Sequence, residues 1–152
     1  MDDEKLDEFI RKFHQEIKQD SIELYGKNFY ERWQNPRYMD AMAQPDVMAL
    51  LKGSCGDSML FFLKFENGVV SEATYKTDGC APSIVCGSYA AELALGKRPE
   101  ELLKIDADMI IDRIGDLPEQ VRHCASLAAG TIHKAVDKYL IEHAGKNRNP
   151  SS

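Results

Sequence analysis

The sequence predicts an α+β fold: a small antiparallel three-stranded sheet with helices packed on it, plus an additional N-terminal helix. Three observations carry that expectation. Two extended runs, Met59 to Phe65 and Val69 to Thr77, flank Asn67-Gly68, the strongest short-range hairpin signal a sequence can hold. Apolar residues recur at helical spacing near both ends of the chain, at Leu6, Phe9, Ile10, Phe13 and Ile17 and again from Val121 to His143. The length, 152 residues, suits one domain with a sizeable core, and no repeat or low-complexity tract divides it.

The elements follow in order. The first amphipathic helix carries Leu6 to Ile17, and Asp20-Ser21 is read as its interruption and as the cap of a second helix. That second helix has Ile22, Tyr25, Phe29 and Trp33 on its apolar side. It ends at Asn35-Pro36, because the residue before a proline is pushed out of the α region. Tyr38 to Pro45 is a connecting loop, and Val47 to Lys52 is a short strand that joins the hairpin. After Cys80 the pattern turns helical, with Pro82 in the first turn and Gly96 as the stop after Leu95. Arg98 to Leu103 and Ala107 to Arg113 read as two short helices. The final helix, Val121 to His143, buries Val121, Cys124, Leu127, Ala128, Ile132, Ala135, Val136, Tyr139 and Leu140. Gly145 to Ser152 is polar and read as a frayed tail.

Composition narrows the function. Hydrophobic residues at 43% and charged residues at 29% are ordinary for a globular domain. A net charge of −6 and the lack of a basic cluster argue against a nucleic-acid partner. The longest apolar runs, Val47 to Leu51 and Met59 to Leu63, are each cut by a lysine and fall far short of a membrane span. The start, Met1-Asp2-Asp3-Glu4, lacks the basic and apolar features of a signal peptide. The four cysteines are therefore expected as reduced thiols rather than disulfides, in the cytoplasm.

Three stretches put a cysteine beside unusual neighbours: Cys55-Gly56-Asp57, Gly79-Cys80 and His123-Cys124. Three cysteines, an aspartate and a histidine form a mixed sulfur, oxygen and nitrogen set, which suits iron or zinc better than magnesium or calcium. The hairpin carries Cys55, Asp57 and Cys80 toward one end of the sheet. Cys80 sits just before a helix and Cys124 near the start of another, where the helix dipole favours a thiolate. Gly56 and Gly79 keep the adjoining backbone small. Each residue also has a plainer reading: cysteine as a small core residue, Asp57 as a turn cap, His123 as a partly exposed histidine. Cys86, inside its helix, is read as packing rather than ligation, and His14, His133 and His143 as surface residues.

The order of motifs resembles the IscU/NifU-type iron–sulfur cluster scaffold family. The matching residues are Tyr30, Asn35-Pro36-Arg37, Cys55-Gly56-Asp57, Gly79-Cys80, Ser88-Tyr89-Ala90-Ala91-Glu92-Leu93, Gly96-Lys97, Leu117-Pro118 and His123-Cys124. They span roughly Tyr25 to Tyr139. The resemblance implies an N-terminal helical extension over 1–24, a scaffold domain over 25–144 and a disordered tail over 145–152. It implies a non-enzymatic carrier in which Cys55, Cys80 and Cys124 hold a nascent cluster, expected as a transient [2Fe–2S], with Asp57 or His123 as fourth ligand. Zinc would take the same ligands in its absence. The implied partners are a cysteine desulfurase that delivers sulfur as a persulfide, an electron donor such as a ferredoxin, and acceptor apoproteins. Where the family carries Leu-Pro-Pro-Val-Lys, this chain reads Leu117-Pro118-Glu119-Gln120-Val121, which puts handling by an ATP-dependent heat-shock chaperone in doubt. Two other readings remain. One is a zinc-bound sulfur acceptor that activates a desulfurase, disfavoured because the Cys80 to Cys124 stretch carries no insertion. The other is a thiol oxidoreductase, disfavoured because no CxxC pair is present.

Overall fold

The computed structural model describes residues 2–54, 56–115 and 117–147, with side chains as far as His143. Helix α1 spans Asp3–Tyr25, and Asp2 caps it by accepting from the Lys5 amide at 2.9 Å. It runs straight through Asp20-Ser21, which corrects the expected interruption. Those residues cost an established helix only about 0.5 kcal/mol each. The break comes at Gly26, whose φ of 91° leaves the helical region. No residue of α1 is buried, and its apolar stripe from Leu6 to Ile17 faces outward.

Helix α2 (Lys27–Gln34) ends at Asn35, as the following proline requires. Arg32 latches it to the next long helix. The guanidinium donates to Ser88 Oγ at 3.0 Å and to Glu92 Oε1 at 3.1 Å, and lies 3.9 Å from the centre of the Tyr89 ring. Ser88 in turn donates to the Arg37 carbonyl at 2.8 Å, which fixes the chain beyond Pro36.

The sheet has the predicted three strands, β1 (Val47–Lys52), β2 (Ser58–Glu66) and β3 (Val69–Thr77), antiparallel in the order β1-β2-β3. Both turn residues, Asn67 and Gly68, have positive φ (56° and 83°), the backbone a two-residue hairpin needs to match strand twist. The buried face presents Val47, Ala49, Met59, Phe61, Leu63, Ala73 and Tyr75. Helix α3 (Ala81–Ala94) lies over β3. A Cβ on Gly87 would stand 2.5 Å from the Tyr75 ring, so only glycine lets the helix settle this close.

Two short helices, α4 (Pro99–Leu102) and α5 (Ala107–Ile114), and a 3-10 turn (Glu119–Val121) lead to helix α6 (His123–Asn147). That helix packs on β1 and α3. Lys134 and Lys138 donate to the carbonyls of Leu50 (2.6 Å) and Met48 (3.1 Å), covering part of the sheet's open edge. The helix continues past the expected end at His143, because one Gly145 costs only about 1 kcal/mol against a helix already formed. Residues 145–147 of the expected tail are thus helical, and 148–152 lie outside the described residues. Leu140, expected inside, is 42% exposed. Its neighbour Tyr139 takes the contact with the sheet instead, stacking on Phe65 of β2 with ring centres 4.1 Å apart. His133 and His143 are half-buried rather than fully on the surface, bonding to the Ile105 and Tyr139 carbonyls.

Candidate metal centre

The open end of the hairpin is pinned by short bonds. Ser58 N donates to Asp78 Oδ1 and Thr77 Oγ1 to the Ser58 carbonyl, both at 2.7 Å. The Gly79 amide then donates back to Thr77 Oγ1 at 3.1 Å. These bonds place Asp57, before β2, beside Gly79 and Cys80, after β3. Cys80 is the residue that caps α3, and its side chain makes no capping bond. Its sulfur is exposed and lies 3.9 Å from Asp57 Oδ2.

The third donor arrives from the opposite end of the chain. Cys124 is the second residue of α6, and the packing of α6 on α3 buries it completely. One ligand atom each from Asp57, Cys80 and Cys124 lies within 4.8 Å of the others, and no other such group of three occurs among the described residues. Ser83, in the first turn of α3 and fully buried, lies against two of them. Its Oγ is 2.9 Å from Asp57 Oδ2 and 3.4 Å from Cys124 Sγ. Gly79 closes the other side: a Cβ there would stand 2.6 Å from Ser83 Oγ and 2.7 Å from Asp57 Oδ2. Two cysteine sulfurs and one carboxylate oxygen are a mixed donor set that fits iron or zinc better than magnesium or calcium.

Comparison with known proteins gives the family. The family described as NifU-like N terminal domain matches residues 24–146. This chain belongs to the NifU-like N-terminal domain family. Nearly all of α1 precedes the matched segment. The iron–sulfur cluster assembly scaffold protein IscU 1 of Archaeoglobus fulgidus is 33% identical over 118 residues, 77% of each chain. The protein named iron–sulfur cluster assembly enzyme IscU in Drosophila melanogaster is 32% identical, over 84% of this chain and 86% of that one. A crystal structure of a NifU-like protein (N-terminal) from Brucella abortus shares the fold, with TM-score 0.62 at 21% identity over 80% of this chain and 96% of that one.

The NifU-like motifs are thus partly gathered in space. Asp57, Cys80 and Cys124 come together. Cys55 lies outside the described residues. His123 is the half-buried first residue of α6, next to Cys124, and is not one of the three grouped donors. Cys86 is fully buried in α3, and burial pushes its thiol far above its ordinary range, with Cys124 and Cys80 pushing the same way. The residue that sequence reasoning overlooked is Ser83. Its signal was the spacing: three positions after Cys80 on a helix is the same face.

Proposed function

We propose that this NifU-like domain is a scaffold on which an iron–sulfur cluster is assembled and from which it passes to acceptor apoproteins. The observation that carries the reading is the donor set, one carboxylate and two cysteine sulfurs within 4.8 Å at one end of the sheet. Cys55, two residues before Asp57 in sequence, supplies the third sulfur in this proposal, with His123 held in reserve beside Cys124. The chain's own part is to present donors. Cys80 faces solvent, where sulfur and iron arrive. Cys124 anchors the inner side of the site from a rigid helix. Asp57 contributes a harder oxygen, a weaker partner for the cluster than thiolate, and so the corner from which the cargo is released.

A cysteine desulfurase, a ferredoxin-like electron donor and acceptor apoproteins are the partners this role needs, with the cytoplasm as its setting. A heat-shock chaperone is left out. Leu117 is buried and Glu119–Val121 is wound into a 3-10 turn, so the segment is not an open extended peptide. The same donors would hold zinc when no cluster is present.

Anaerobic reconstitution with ferrous iron, cysteine and a desulfurase tests the reading. Visible cluster absorbance with matching iron and sulfide is expected, and its loss in Cys80→Ser and Cys124→Ser. A protein that retains only zinc, yet stimulates the desulfurase, would be the sulfur acceptor instead.

A further inference from the structure

We propose that Ser83 is a positioning residue of this centre, its single buried hydroxyl standing within reach of both the Asp57 carboxylate and the Cys124 sulfur and able to donate to either. The inference rests on the metal-site reading above. A serine hydroxyl has one proton to give and lone pairs to accept with. Ser83 is fully buried, so it has no solvent to turn to, and its two partners are the two donors from opposite ends of the chain. The shorter of the two contacts is to Asp57, at 2.9 Å against 3.4 Å for Cys124. When a cation draws the carboxylate toward itself, the same proton is free to turn to the sulfur. The hydroxyl thereby supports one ligand or the other without leaving its place.

Two features make this more than a satisfied buried serine. Serine at this point of a helix commonly bonds to nearby backbone, yet this hydroxyl reaches residues 26 and 41 positions away. The site is also built around it. The backbone of Gly79 approaches so near that an added Cβ would stand 2.7 Å from Ser83 Cβ. Partners that orient metal ligands in this way are worth about 10–100-fold in metal affinity.

The test is an anaerobic titration of the metal-free full chain with cobalt(II), following the thiolate-to-cobalt charge-transfer band and the d–d bands. The wild-type chain is expected to show the thiolate band. Ser83→Ala is expected to bind cobalt at least about tenfold more weakly, with a shifted band. Ser83→Thr, which keeps the hydroxyl, is expected to recover most of both, and thermal melts confirm the fold of each variant. A Ser83→Ala titration and spectrum superimposable on wild type would overturn the positioning role while leaving the metal site intact. So would a weakened Ser83→Ala chain with an unshifted band that Ser83→Thr does not restore. A wild-type chain that binds cobalt without a thiolate band would overturn the metal site itself, and the inference with it.

Discussion

Asp57 is the single oxygen donor among the three that the described residues gather. Among those residues its side chain bonds to Cys80 and Ser83 and not back onto its own turn, so a plain capping role has no bond to rest on. Asp57→Ala should therefore keep cluster assembly but slow transfer to an apo-ferredoxin by about tenfold, near 1.4 kcal/mol on the barrier. Wild-type transfer rates from that variant, measured beside its thermal melt, would remove the release role. Cys86 belongs to the core instead. Its pKa is raised by burial, so its thiol stays protonated at neutral and mildly alkaline pH and is a poor nucleophile. Alkylation of the native protein at pH 8 followed by peptide mass spectrometry should mark Cys80 and spare Cys86 until denaturant is added. Early labelling of Cys86 would show that α3 opens more readily than its packing implies.

At the scale of elements, the latch between α2 and α3 rests on Arg32, whose side chain is only 11% exposed. Arg32→Ala should destabilise the protein by about 1.5–3 kcal/mol, the range for hydrogen bonds to charged groups. Arg113, 3.6 Å from the other Glu92 oxygen, keeps that carboxylate partnered and should hold the loss within the range. Urea melts at neutral pH give the number, and a change under 0.5 kcal/mol would reduce the latch to a surface contact. The hairpin was legible in sequence because its signal is local: Asn67-Gly68 sets the turn and the pairing of Glu66 with Val69 and Phe65 with Val70, before an irregularity between Lys64 and Phe65 shifts the rest by one residue. The joint between α1 and α2 was not. Asp20-Ser21 has the chemistry of a cap, but an exposed helix carries such residues at little cost, and Gly26 was the stronger breaker. The approach of Cys124 to Cys80 was legible only through the family resemblance. It depends on α6 packing on α3, and no local pattern encodes that. Ser83 escaped because a serine in a helix has many uses.

The whole molecule divides into a packed body and one helix that stands on it. Since α1 buries no residue and nearly all of it precedes the matched family segment, the body should not need it. Removing residues 1–24 should lower the melting temperature by no more than about 4–8 °C, the shift that 1 kcal/mol makes in a domain of about 100 residues. Cobalt binding should be unchanged. Failure of the shortened chain to fold would make α1 part of the domain rather than an extension.

The separations along the chain also set an order in time. Asp57 and Cys80 are 23 residues apart and meet across a hairpin, whereas Ser83 and Cys124 are 41 apart and meet only when α6 docks. Local pairs close early and distant ones late, and a hairpin alone is marginal in water. On the ribosome, the Asp57–Cys80 corner can form while Cys124 has yet to emerge. Under the proposed scaffold role, a metal ion meeting the growing chain would find that corner without its buried sulfur. Tight capture would then wait for α6 to dock, and the finished protein would be the first form of the chain able to keep a cluster.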